Sequence, residues 1–77
     1  MMFGLSNERL KELKEKYPVG TRVKCISMPQ EPHPVPRGTI GTVTGVDDLG
    51  TIHVHWDNHS ALGLVIDVDK FEIVDQK

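Results

Sequence analysis

At Gly20 the hydrophobic spacing of the chain changes from helical to alternating, which restricts the fold to one short helix followed by β-structure. Beyond that point β-branched residues accumulate at Thr21, Val23, Ile26, Thr39, Ile40, Thr42, Val43, Thr44 and Val46, the residue types that suit a pleated, half-buried surface. The chain has 77 residues, room for one compact domain with a small core and no separate catalytic and substrate modules.

Ahead of the switch, Ser6 can cap a helix over residues 7–16, with Leu5 and Leu10 at the spacing of a hydrophobic staple. Its apolar stripe is Leu10, Leu13 and Tyr17, and Glu12 with Lys16 and Lys11 with Glu15 stand at four-residue spacing on wet faces. Pro18 disfavours the α conformation at Tyr17 and stops the helix there. The charged face reads as solvated surface.

The β-region, about 20–75, divides into five strands. The first spans about 21–28, where Val23 and Cys25 share one face and Ile26 and Met28 the other, a change of phase that implies either a bulge or a strand covered on both sides. Residues 29–37, PQEPHPVPR, contain four prolines; these cannot donate to a central sheet, so the segment is a semi-rigid excursion between strands. TIGTVTGV over 39–46 makes a second strand, with Gly41 and Gly45 marking bends or close approach of backbone. After a hairpin loop over 47–50, Ile52, Val54 and Trp56 alternate with His53 and His55, the clearest half-buried strand in the chain. A turn over 57–60 leads into 61–66, where Leu62, Leu64 and Ile66 share a face. One 3₁₀ turn over 67–70 and a last strand over 71–74 complete the reading. The fold class is therefore mainly β, a five-stranded, partly open antiparallel barrel preceded by one N-terminal helix. Its predicted core is Leu10, Leu13, Val23, Val43, Val54, Trp56, Leu64, Phe71 and Ile73.

Several motifs resemble SH3-like barrels of the KOW and mind-bomb type: Gly20 before Val23, then Gly38, Gly41 and Val43, then Val54, Trp56 and Asp57. More closely, residues 8–74, including the helix that ends in Tyr17-Pro18, are similar to a small bacterial and phage family, domain of unknown function 4314. The resemblance implies the barrel and brings no activity with it. Where that family tends to read Asp-Asn-Gly after the third strand, this chain reads Asp57-Asn58-His59. A type I′ turn needs positive φ at both central residues, so either a longer turn or a local use for His59 is expected. Members resemble accessory genes of phages and mobile elements, which implies a small protein that binds and disables a host defence factor.

Chemistry-bearing constellations are few. A single cysteine, Cys25, permits no internal disulfide; it reads as a small core residue and indicates a reducing compartment. Met1 to Leu5 have neither the basic region nor the apolar length of a signal peptide, and no apolar run approaches a membrane span, so a cytoplasmic protein is expected. His53 and His55 point to one face of their strand and are weak metal candidates, with Asp57 or His59 as a third ligand; the bland reading is a polar outer face. Neither a phosphate loop before a helix nor a nucleophile elbow is present, so an enzyme is not expected, and no cofactor is implied.

Charge is uneven: residues 1–38 carry a net +3 and residues 39–77 a net −5, which reads as a weak electric dipole. A KOW-like nucleic-acid reader would depend on Arg22, Lys24 and Arg37, few cations for phosphate binding. A third reading is sequestration of a small signalling ligand between copies, although the sequence fixes no oligomeric state. The leading expectation is a protein-binding module whose contacts are Gln30, Glu31, His33, Val35 and Arg37 of the proline loop, with Val35 as a small apolar anchor, together with His59 of the neighbouring turn.

Overall fold

The computed structural model describes residues 6–74. Leu5, one half of the predicted staple, lies outside them. Helix α1 spans Asn7–Lys16. The Ser6 hydroxyl accepts from the Arg9 N–H at 3.1 Å, satisfying one of the orphan donors of the first turn. Tyr17 leaves the helical region at φ −124° and ψ 64° while its N–H still reaches the Leu13 carbonyl, as the following proline requires. Glu12 does not reach forward to Lys16. It pairs back to Arg9 at 3.7 Å, and the Lys16 ammonium lies over the Tyr17 ring.

The strands are β1 (Arg22–Ser27), β2 (Ile40–Val46), β3 (Thr51–Trp56), β4 (Leu64–Val65) and β5 (Lys70–Ile73). They form one antiparallel sheet in the order β4-β3-β2-β1-β5. Because β4 and β5 are not joined, the sheet curls without closing. The fold is thus mainly β with five antiparallel strands and one N-terminal helix, as the alternation predicts. The bulge in β1 falls between Cys25 and Ser27, and a second lies between Val43 and Gly45.

Among the described residues eleven apolar side chains form the core: Leu13, Tyr17, Val23, Cys25, Met28, Val35, Val43, Ile52, Val54, Trp56 and Leu64. Trp56 is fully enclosed, and its indole N–H donates to the Leu62 carbonyl at 2.8 Å, so its one polar atom is satisfied. Gly41 lies beneath it. A Cβ at that position would approach Val54 Cγ1 to 2.5 Å and Trp56 Cε3 to 2.7 Å, so β2 can cross the indole only as glycine.

Several expectations need correction. Ile73 is 48% exposed rather than core, because among the described strands β5 lies at the edge of the sheet. Leu10 and Phe71 are only partly buried, Phe71 meeting the Tyr17 ring at 5.4 Å. Residues 66–69 form a turn and no 3₁₀ helix: Asp67 has φ +68°, which breaks the right-handed path, and the Val65 carbonyl accepts from both Val68 and Asp69 N–H. Strand β4 is also shorter than the 61–66 run suggests. Leu62 and Ile66 pack against the core without joining the ladder. Among the described residues no helix is long and apolar enough to cross a membrane.

Candidate functional site

The β1–β2 loop and the β3–β4 turn emerge at the same end of the sheet. Thr39 N–H donates to the Pro36 carbonyl at 3.1 Å and Asp57 N–H donates to the Ile40 carbonyl at 2.8 Å. The returning limb of the loop therefore lies beside the turn. Gln30, His33 and Arg37 of the loop and His59 of the turn are exposed, and Glu31 is half-buried. Among the described residues no ion pair involves Arg37.

Val35 departs from its predicted role. It is 4% exposed and belongs to the core, so it cannot anchor a partner. Its carbonyl accepts a hydrogen bond from the Cys25 thiol at 3.4 Å, and burial, with a smaller contribution from Asp69, pushes that thiol's pKa up. Cys25 is accordingly a buried core residue whose surroundings disfavour the thiolate. Met28 holds the other end of the loop in the core, Glu31 N–H donates to its carbonyl, and Gly38 turns the chain back at φ +92° while donating to Cys25. A loop held at Met28 and Val35, with prolines at 29, 32, 34 and 36, presents its rim with little freedom to lose. Sequence reading gives Val35 as a small apolar anchor for a partner, on a loop whose tip is residues 30–33. The available signal is that it is the only apolar residue other than proline between 29 and 37.

Two of the three nucleic-acid candidates are already engaged. The Arg22 guanidinium grips the Asp57 carboxylate with two hydrogen bonds of 3.0 and 2.7 Å and donates a third to Thr42 Oγ1 at 2.7 Å. That fork holds the Asp57 carboxyl below the ordinary carboxylate range and raises Arg22 in turn. Lys24 pairs with Glu72 at 3.1 Å. Arg22 thus takes its anion from the turn after β3 and Lys24 from the neighbouring strand β5, and among the described residues only Arg37 of the three has no ion pair.

His53 and His55 do share the exposed face of β3, yet His53 Nε2 lies 2.8 Å from Asp47 Oδ2. The other Asp47 oxygen accepts from the Leu49 and Thr51 N–H groups. Together these hydrogen bonds, with that to His53 the largest influence, lower the Asp47 pKa. Asp47 is thus a hairpin lock, a role legible only as turn chemistry in sequence. Among the described residues no group of three or more His, Cys, Asp or Glu is placed to hold a metal ion. His59 resolves the turn puzzle: at φ +73° it occupies the left-handed position of a three-residue loop closed by Trp56 N–H to the Ser60 carbonyl and His59 N–H to the Trp56 carbonyl.

A family model, the domain of unknown function DUF4314, matches residues 6–74. The chain belongs to that family. The match takes in the helix, all five strands and both candidate loops, so the loop rim is part of the DUF4314 domain itself. No curated protein and no solved structure matches the chain.

Proposed function

We propose that this DUF4314 domain is a non-enzymatic binding module that captures a protein partner with Gln30, Glu31, His33 and Arg37, aided by His59. One observation carries the reading: polar side chains stand on a proline-stiffened loop whose two ends are fixed in the core by Met28 and Val35. Such preorganisation lowers the entropy lost on capture. The resemblance to phage and mobile-element accessory proteins supports a host defence protein in the cytoplasm as the partner. The ion pairs of Arg22 and Lys24 count against nucleic acid, since phosphate binding would have to displace carboxylates already in place.

The test is to replace residues 30–34 with a Gly-Ser segment, sparing Val35, and to measure capture of the partner recovered with the parent protein. Melting should change little, and affinity should fall at least about tenfold. Undiminished capture would overturn the loop assignment, and salt-dependent retention on DNA or RNA by the parent would favour the nucleic-acid reading instead.

A further inference from the structure

Among the described residues, strand β5 is an uncovered edge of the sheet. Among the described elements it touches only β1, with Tyr17 covering its inner face at Phe71. The Val74 N–H donates to the Arg22 carbonyl at 2.8 Å. By the alternation of an antiparallel ladder, Glu72 and Val74 direct their backbone groups toward β1, while Phe71 and Ile73 direct theirs to the open side. The Ile73 side chain, on a face of the strand beside that edge, is 48% exposed. A row of unpaired N–H and C=O groups is a template for another strand.

We infer that the free edge of β5 pairs antiparallel with the same edge of a second copy, continuing the sheet across a two-fold axis at Phe71. The charges select both occupant and register. An isologous pair that keeps the buried faces on one side must place some residue opposite itself. Centred on Glu72, two carboxylates would face each other. Centred on Phe71, Lys70 of each copy stands opposite the partner's Glu72, and the two Phe71 residues exchange N–H···O bonds, the arrangement that the free backbone groups require. Glu72, already 3.1 Å from Lys24, then lies between two cations. An edge lysine alone would repel another strand. With glutamate two residues later, the pattern admits this strand run against itself.

The contact is short, so the dimer is weak and concentration-dependent. Sedimentation equilibrium of the parent from about 10 µM to about 1 mM should show a monomer–dimer equilibrium. Amide exchange at Phe71 and Ile73, but not at Glu72, should slow as concentration rises. Lys70→Glu places like charges together at both ends of the strand and should weaken association about tenfold. Glu72→Lys should do the same, and the double swap should restore it, each variant first shown to melt as a folded protein. A parent that stays monomeric throughout, Phe71 and Ile73 amides indifferent to concentration, or a folded double swap that fails to recover would each overturn the proposal. The exchange measurement needs no variant.

Discussion

Replacing Val35 with alanine separates an anchored loop from a loose strap over the sheet. Val35 is 4% exposed, so the change removes two buried carbons, at about 0.8 kcal/mol each, and leaves a small cavity. The expected loss is about 2 kcal/mol, a large part of the roughly 5 kcal/mol available to a domain this small. Melting should fall by about 8–16 °C. Urea unfolding followed by tryptophan fluorescence reads this directly, because the single tryptophan, Trp56, is fully buried and senses the whole core. His33→Ala, on the exposed rim of the same loop, is the internal comparison and should stay within about 0.5 kcal/mol of the parent. If Val35→Ala also stays within that margin, the loop is not fixed at that end. The preorganisation argument for the binding rim then fails.

Three further outcomes follow from particular contacts. His59→Gly should stabilise by about 0.5–1 kcal/mol in urea unfolding, since relief of left-handed strain at φ +73° exceeds the added freedom of the unfolded chain. Gly41→Ala should destabilise by about 1–3 kcal/mol or more, because its methyl would meet Val54 and Trp56, whereas Gly45→Ala, where a Cβ meets nothing within 4 Å, should be nearly neutral. The carboxyls of Asp47 and Asp57 are held below their unfolded values. Their stabilisation is therefore complete above about pH 5 and lost as pH falls through the depressed folded pKa values. Urea midpoints from neutral to acid pH should show that decline, and Asp47→Asn with Asp57→Asn should flatten it.

What could be read from sequence was periodic or local. The helix bounds follow from Ser6 and Tyr17-Pro18, and β3 follows from strict alternation that ends at a buried Trp56. The change of phase after Cys25 leaves a bulge or a doubly covered strand open, and the register shows the bulge. What was not legible depended on long-range pairing. Ile73 continues a hydrophobic alternation, but only topology makes β5 an edge and so exposes it. Val35 sits among prolines with no period to reveal its burial. Arg22 and Asp57 are 35 residues apart, and their meeting requires the registers of both β1–β2 and β2–β3. Asp67 lies in a short polar run that reads as one 3₁₀ turn, and its positive φ belongs to the chain's path from β4 to β5.

The same long-range pairing changes the meaning of the charge distribution. Along the sequence, a basic first half precedes an acidic second half, which suggests a dipole able to steer a charged partner. In the fold, Lys14 meets Asp48, Arg22 meets Asp57 and Lys24 meets Glu72. Each of these pairs joins a cation of the first half to an anion of the second. The antiparallel register that builds the sheet thus lays the two halves against each other, and much of the sequence asymmetry cancels within a few ångströms, well inside a Debye length of about 8–10 Å. A long-range field is then a poor basis for recognition, since steering needs charge of one sign left uncompensated over a surface. What remains distinctive is local: a proline loop fixed at Met28 and Val35, an Arg37 without an ion-pair partner among the described residues, and the free backbone groups of β5. On the proposed binding function, recognition would therefore rest on shape and directed hydrogen bonds at contact distance, the means by which a stiff loop rim and a strand edge discriminate between partners.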